Sequence, residues 1–212
     1  NILINNKISG GANGYRLQMG AENNTIIGGI VNETEKNAIY FTDAGELCKE
    51  NIFKNVTIIS KSPSHYDLNI EAENVEPYGS TYFIDTEIKN FSIDGGYLLT
   101  FENAEFGKIE FLEPLIGKDI KLSENIQIEY NLSFVDSENI PEFNKKANIT
   151  LYNLPTHWEN TEIQVDGQTC PEPLCIPFTN LDAGTVKFGV AGWSIYSIYG
   201  EIPPEDFTIE AP

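Results

Sequence analysis

Short segments in which apolar and polar residues alternate run along the whole chain, and this period is typical of strands with one buried face. In the first half, two such strand motifs each recur four times, with variable lengths of chain between the copies. The first motif spans residues 1–8, 24–31, 51–58 and 86–93, and the second spans 15–23, 37–43, 66–74 and 97–103. Repeated strands joined by loops of unequal length predict a stack of coils in an all-β chain.

The aligned motifs predict about four stacked coils over residues 1–114, with equivalent apolar residues forming columns that point inward. The first predicted column contains Leu17, Ile39, Leu68 and Leu99, and the second contains Met19, Phe41, Ile70 and Phe101. One position of the first motif is occupied by Asn5, Asn55 and Asn90, which predicts an asparagine ladder at a tight turn.

After Pro114 the repeat stops and longer alternating segments follow, separated by Asp-Gly, Pro and Asn turns. These segments predict a small Ig-like antiparallel β-sandwich over residues 115–200, followed by a Pro-rich linker over 201–212. The first segment, 125–135, is interpreted as one strand with alternate apolar residues on one face. Because the chain opens inside a strand motif and closes on the linker, we expect it to be a segment of a longer modular protein.

Charge limits the classes of partner. The chain has 32 acidic and 13 basic residues, and its formal net charge is -19. Such a surface repels phosphate backbones and anionic lipid headgroups, so nucleic acid is not an expected partner. No apolar run approaches the roughly 20 residues that a membrane-spanning helix needs, and no membrane span is predicted in this segment.

Both halves resemble known surface-protein modules. Residues 1–114 resemble the right-handed parallel β-helix repeat family, which includes pectate-lyase-like proteins and many archaeal and bacterial surface proteins. The strings ANITLYNLP, VDGQTCPEPLC and AGTVKFGVAGWSIYSI resemble a module that follows β-helix repeats in predicted surface proteins of uncultured archaea. The resemblance implies the C-terminal coils of a β-helix at an extracellular or cell-surface location. It assigns no reaction.

The cysteines favour a local disulfide. Cys170 and Cys175 flank a Pro-rich polar loop, and a disulfide between them is favoured over two free thiols. A metal site is a poorer interpretation, because zinc needs further ligands and neither His65 nor His157 has metal-binding spacing. Cys48 is interpreted as a buried structural thiol. No cofactor is predicted.

Six Asn-x-Ser/Thr sequons occur in the chain. Asn55 and Asn90 are discounted, because the predicted ladder would bury them. The candidate glycosylation sites of a secreted protein are Asn23, Asn32, Asn131 and Asn148.

The best candidate for an enzymatic site in this sequence is a group of carboxylates. Glu71 and Glu102 are placed on adjacent coils, at a strand spacing of about 5 Å, with Asp67 on the same outward face. A carboxylate pair would suit a polysaccharide hydrolase or lyase. However, neighbouring carboxylates are common in so acidic a chain, and the only arginine, Arg16, lies two coils away. These three residues are therefore weak carbohydrate-site candidates, and no catalytic residue is predicted.

Two classes of function follow from these patterns. The favoured one is a non-catalytic structural or adhesive component of an extracellular assembly, such as a filament, stalk or surface layer. The alternative is a carbohydrate-binding or polysaccharide-degrading β-helix protein, with glycans as partners. The aromatic residues Trp158, Trp193, Tyr196 and Tyr199 are interpreted as sandwich core in preference to a sugar-stacking platform. Residues 1–8 are expected to be covered by earlier coils of the same chain or by a neighbouring subunit, and earlier coils are favoured.

Overall fold

The computed structural model describes residues 1–42, 46–59, 65–73 and 76–203, with only the backbone described at 119–121. Strands account for 53% of the chain and there is almost no helix, so the prediction of an all-β chain is confirmed. The strands form four sheets, and none of them closes on itself within the described residues.

Three successive repeats each contribute one strand to each of three parallel sheets. Repeat 1 contains β1 (Ile2–Ile4), β2 (Lys7–Ser9) and β3 (Asn13–Gln18); repeat 2 contains β4 (Thr25–Ile27), β5 (Ile30–Asn32) and β6 (Asn37–Thr42); repeat 3 contains β7 (Asn51–Lys54), β8 (Thr57–Ile59) and β9 (Tyr66–Glu71). Repeat 4 contains β10 (Gly79–Ile84) and β11 (Asn90–Ile93).

The remaining strands are mainly antiparallel. They are β12 (Tyr97–Asn103), β13 (Gly107–Phe111), β14 (Gly117–Lys121), β15 (Ile126–Glu129), β16 (Leu132–Val135), β17 (Ala147–Leu151), β18 (Glu159–Val165), β19 (Gln168–Thr169), β20 (Cys175–Pro177), β21 (Val186–Val190) and β22 (Ile195–Glu201). A helical turn, α1 (Leu122–Asn125), precedes β15, and a 3-10 helix spans Pro141–Phe143.

The largest sheet, sheet 1, joins the two halves of the chain. Its order is β1-β4-β7-β10-β12-β13-β17-β21-β20, and it changes from parallel to antiparallel pairing between β12 and β13. Sheet 2 is β2-β5-β8, sheet 3 is β14-β11-β9-β6-β3, and sheet 4 is β15-β16-β22-β18-β19. Because sheet 1 crosses residue 114, backbone hydrogen bonds connect the two predicted segments directly. The division into domains stays a prediction, and most of the predicted linker, residues 204–212, lies outside the described residues.

The core of the repeats is a column of side chains on the inner face of sheet 1. Strand register aligns Leu3, Ile26, Phe53, Phe83 and Phe101. The three phenylalanine rings stack in succession, with centroid distances of 5.6 Å and 5.7 Å. Parallel pairing without a register shift places equivalent side chains above one another, so each repeat adds one layer to a continuous core.

The predicted columns are right in part: Ile39 aligns with Leu68 and Phe41 with Ile70, and Leu17, Ile39, Leu68 and Leu99 are all buried. The first and fourth members of each predicted column are wrong. In sheet 3 the observed columns are Tyr15–Ile39–Leu68–Phe91 and Leu17–Phe41–Ile70–Ile93. Leu99 and Phe101 belong to sheet 1, and Met19 is 67% exposed at a turn with φ of 54°. A shift of two residues keeps every side chain on the same face, so the alternation pattern does not distinguish these registers.

The fourth copies of both motifs were also assigned to the wrong strands. The equivalent of β7 is Gly79–Ile84, and not residues 86–93. The copy at Tyr97–Asn103 pairs with β10 in sheet 1, whereas the other copies of the second motif lie in sheet 3. Alternating apolar residues suit either inner face, so the pattern alone does not assign a strand to a sheet.

Residues 125–135 form a hairpin, and the prediction of one strand is wrong. β15 and β16 pair antiparallel through a two-residue turn at Tyr130 and Asn131, and Asn131 has a φ of 52°. Asparagine accepts this left-handed conformation more readily than most residues. The turn changes which alternate residues of β16 point toward the core. Ser133 and Val135 are therefore buried in place of Leu132 and Phe134.

Candidate functional site

Glu71 lies on the outer face of sheet 3 within a small polar cluster. Tyr40 Oη donates a hydrogen bond to its Oε2 at 2.5 Å, and Asn69 Nδ2 donates to Oε1 at 3.0 Å. The Arg16 guanidinium carbon lies 5.6 Å from the centre of the Tyr40 ring. The hydrogen bond to the Glu71 carboxylate is the main cause that raises the pKa of Tyr40. The cluster presents an aromatic ring, a cation and a carboxylate at the surface, while the amide of Asn69, which is 6% exposed, supports the carboxylate from below.

Glu102 lies in a different sheet. It belongs to β12 of sheet 1, where Tyr152 Oη donates to its Oε1 at 3.4 Å. Burial, together with the charges of Glu102 and Glu110, raises the pKa of Tyr152 to about 12. The predicted adjacency of Glu71 and Glu102 is therefore wrong, because the strands that carry them do not pair.

Asp67 lies on the same side of β9 as Asn69 and Glu71, as predicted, but it is buried, with 1% exposure, and does not face solvent. Its Oδ2 accepts the backbone N–H groups of Lys89 at 2.7 Å and Asn90 at 3.4 Å. Two donors from the adjoining segment offset the desolvation of a buried carboxylate. Asp67 therefore has a structural role, because its hydrogen bonds connect repeat 3 to the start of β11.

A second charged cluster lies on the outer face of sheet 1 and was missed in the sequence. The Glu110 carboxylate forms ion pairs with Lys108 at 3.2 Å and with Lys187 at 3.0 Å. Burial acts to raise the pKa of Glu110, but the two lysines hold this pKa below its ordinary value. The spacing Lys108-x-Glu110 is a weak sequence signal for such a pair. Lys187 is placed near Glu110 only by the strand order β13-β17-β21, which the sequence does not show.

The predicted disulfide is confirmed. Cys170 and Cys175 are bonded, with 5.9 Å between their Cα atoms, and close the loop between β19 and β20. Cys48 is a free cysteine with 0% exposure, which confirms its interpretation as a buried thiol. Burial raises the pKa of this thiol, so it is a poor nucleophile in the folded chain.

The four candidate sequons differ in accessibility. Asn23 is exposed at a turn, whereas Asn32 and Asn148 are half-buried within strands. Asn131 uses its side-chain amide to bond β22: Nδ2 donates to the carbonyl of Ile198 at 2.8 Å, and Oδ1 accepts the N–H of Ile198 at 2.9 Å. Glycosylation modifies this Nδ2 atom, so Asn23 is the most accessible acceptor of the four. Its glycosylation stays a prediction.

The aromatic residues of the second half mostly fill the core. Trp193 and Tyr196 are buried, and the Trp193 ring lies 5.5 Å from Phe111 and 6.0 Å from Tyr196. Trp158 is half-buried and packs against the core. Of the four aromatic residues considered in the sequence, Tyr199 is the most exposed, at 44%. The interpretation as core is confirmed for the other three.

The raised pKa of Tyr196 predicts that the folded chain loses stability at alkaline pH. Burial is the main cause that raises its pKa from 10.0 to about 12, and its Oη donates to the carbonyl of Gly192 at 2.6 Å. Above pH 10 the unfolded chain releases this proton while the folded chain retains it, so stability should fall between pH 10 and 12. Urea unfolding across this range measures the effect. Tyr196→Phe should reduce the pH dependence, the remainder arising from the other groups with a raised pKa, which are Tyr152, Tyr15, Tyr40 and Cys48. Tyr130→Phe, at an exposed position, should leave it unchanged.

A hydrogen-bonded asparagine ladder exists, but at a different position from the predicted one. Asn1 Nδ2 donates to Asn24 Oδ1 at 2.9 Å, Asn24 Nδ2 donates to Asn51 Oδ1 at 2.9 Å, and Asn51 Nδ2 donates to the Ala21 carbonyl at 2.8 Å. Asparagine at the first position of three copies of the first motif was the available signal.

The ladder predicted at Asn5, Asn55 and Asn90 is wrong. Asn5 and Asn55 do occupy equivalent turns, with φ of 52° and 54°, and Gly28 lies at the same turn of repeat 2. Asn90 lies within β11. The first two residues are selected for the backbone conformation of the turn, since asparagine and glycine tolerate positive φ.

The open end of repeat 1 exposes the core column. Leu3 occupies the same column as Ile26 and Phe53, yet it is 43% exposed while these two are buried. Ile2 and Ile4, on the outer face of β1, are 67% and 62% exposed. Within the described residues, β1, β2 and β3 are each the edge strand of their sheet. One end of the stack therefore presents apolar side chains and unpaired strand edges together.

No described residues form a group of three or more His, Cys, Asp or Glu side chains that would hold a metal ion. Nor does the part of the chain described here include a helix that is long and apolar enough to cross a membrane. Comparisons with family models, with curated protein sequences and with solved structures find no match for this chain. Its function is therefore argued from geometry and chemistry alone.

Proposed function

We propose that the chain is a non-catalytic structural or adhesive component of an extracellular or cell-surface assembly. In this proposal, residues 1–114 are the C-terminal coils of a right-handed parallel β-helix, and residues 115–200 are an Ig-like β-sandwich that closes the stack. The disulfide is compatible with an oxidising, extracellular compartment, and the strongly acidic surface does not suit nucleic acid.

The observation that carries the proposal is the difference between the two ends of the parallel part of sheet 1, β1 to β12. At one end, Leu3 continues the core column into solvent, next to unpaired strand edges. At the other end, antiparallel strands from β13 onward continue the sheet and bury their own core. An open, apolar strand edge is a template for pairing with another strand. Stacking on repeat 1 would extend the fold in one direction, as a stalk or filament requires.

The proposal predicts that residues 1–212, purified alone, self-associate through repeat 1. Leu3→Lys places a charge at the open end of the column, where pairing with another chain would bury it, and is expected to make the protein monomeric. Light scattering coupled to size-exclusion chromatography measures the change in mass. Electron microscopy of the native assembly tests the wider proposal, with a regular fibre or lattice as the expected result.

Ile202→Lys is the matched control. Ile202 is 73% exposed and lies after β22, outside the sheets, so the same change there should leave self-association intact. A stable, monodisperse monomer of the unmodified chain would contradict the proposed role of repeat 1.

Carbohydrate binding is the second candidate, and the cluster around Glu71 is the observation that favours it. Tyr40, Arg16 and Asn69 provide a ring face and polar groups beside the carboxylate. Aromatic faces combined with hydrogen-bonding groups are suited to sugar rings. The cluster lies on an open sheet face, which favours weak binding over catalysis.

We expect no hydrolytic or lytic turnover of acidic polysaccharides. Glu71 and Glu102 lie in different sheets, so neither has the other available as an acid–base partner. Glu71→Gln and Glu102→Gln should each leave reducing-end release and ultraviolet absorbance of unsaturated products at background, as in the unmodified chain. Robust turnover that either substitution abolishes would overturn the non-catalytic proposal.

A further inference from the structure

A cleft lies where the last parallel strands meet the second half of the chain. Its walls come from the ends of β10 and β12 on one side, and from α1 and β15 on the other. It encloses about 280 Å³, which is close to the lower limit of about 300 Å³ for small-molecule sites and suits a single long side chain.

The floor of the cleft is apolar and the rim is acidic. Phe83, Phe101, Ile88, Leu122, Ile126 and Ile128 form the apolar part. The rim carries the acidic residues Asp85 and Glu87, and none of the described lining residues is basic. Glu102 also lines the cleft, but its side chain lies on the outer face of sheet 1, where it is aligned with Lys108. A ligand that matches both parts needs an apolar stem and a cationic end.

Each rim carboxylate retains acceptor capacity. Asp85 Oδ1 accepts the backbone N–H of Ala104 at 2.9 Å. A carboxylate has two oxygens and about four lone-pair sites, so one such bond leaves it able to accept others. Glu87 pairs with Lys89 at 3.6 Å, but both side chains are more than half exposed. An exposed pair of this kind is weak and is readily exchanged for another cation.

We propose that this cleft binds a lysine or arginine side chain presented by a partner polypeptide. The aliphatic stem would lie on the floor while the cation remains at the rim, the arrangement that long basic side chains adopt on apolar surfaces. Charge complementarity selects this occupant: an acidic side chain would be repelled by the rim, and a neutral apolar one would cover the carboxylates without pairing them. The site lies away from repeat 1, so the proposal holds whether or not the chain self-associates.

Amide-resolved NMR titration with Nα-acetyl-arginine amide and Nα-acetyl-lysine amide tests the proposal. Saturable shifts are expected at cleft residues such as Phe101, Ser123 and Ile128, with at least one of the two probes. Binding should be millimolar, as expected for one side chain, and should weaken with salt because the rim is exposed. Nα-acetyl-citrulline amide has nearly the same shape without the charge and should bind at least threefold more weakly.

Two variants separate the contributions of charge and cavity. Asp85→Asn combined with Glu87→Gln removes two rim charges and should weaken binding at least threefold, while Glu138→Gln combined with Glu159→Gln removes two charges elsewhere and should not. Ser123→Phe fills the cleft without changing its charge and should abolish the shifts, with an otherwise preserved spectrum as the test of folding. Equal binding of the citrulline probe, shifts dispersed over the acidic surface, or unchanged binding by the Ser123→Phe chain would each overturn the proposal.

Discussion

Phe53→Ala is expected to lower the free energy of unfolding by about 3–5 kcal/mol, the usual range for a fully buried phenylalanine. Phe53 is 0% exposed in β7, and its ring contacts Tyr15, Phe41 and Phe83 at centroid distances of 5.8 Å, 6.2 Å and 5.6 Å. Its removal leaves a cavity between sheets 1 and 3, where fixed strand register limits collapse. Urea-induced unfolding followed by circular dichroism measures the loss.

Phe178→Ala is the matched control for this core substitution. Phe178 is 55% exposed after β20, so the same truncation should cost less than about 1 kcal/mol. Equal losses for the two variants would contradict the layered core described for the repeats.

Asn51→Ala is expected to lower the free energy of unfolding by about 2–4 kcal/mol. Asn51 is 0% exposed, and its side chain accepts two hydrogen bonds from Asn24 and donates one to the Ala21 carbonyl. Alanine would leave these partners unsatisfied in a part-buried site, and each such group costs about 1–3 kcal/mol. The same unfolding measurement applies.

Asn1→Ala is the control at the exposed end of the ladder. It removes a single hydrogen bond, from Asn1 Nδ2 to Asn24, in a position where water replaces the lost partner. We expect a change below about 1 kcal/mol. A loss at Asn51 as small as that at Asn1 would mean that the ladder does not stabilise the stack.

Local patterns predicted those features that depend on neighbouring residues. The first three copies of each motif are strands where the alternation places them, and the Asp166-Gly167 turn joins β18 to β19, with φ of 51° and 74°. The disulfide between Cys170 and Cys175 was predictable for the same reason, because both cysteines lie in one short loop.

Register and sheet membership were not predictable in this way. Leu17 aligns with Phe41, and not with Ile39, because loops of different length shift the start of each repeat without changing which face is apolar. The same ambiguity separated Glu71 from Glu102. Each of these errors concerns pairing between strands that are distant in the sequence.

The candidate sites show the same limit. Glu71 was singled out in the sequence, but its contacts with Tyr40 and Arg16 depend on the register of sheet 3. The cleft at the junction had no sequence signal, since its rim combines Asp85 and Glu87 with a floor that includes Ile126 and Ile128. Only the packing of α1 and β15 against the end of the parallel strands brings these residues together.

The sequence by itself determined that this protein is all-β, strongly acidic, repetitive in its first half and cross-linked by one local disulfide. These properties follow from composition, period and short-range spacing, which do not depend on how the chain folds back on itself. Only the tertiary structure decided which strands pair, which carboxylates are buried and where the cleft forms. Such features arise from contacts between distant segments, and several registers with the same apolar face satisfy the sequence pattern equally well.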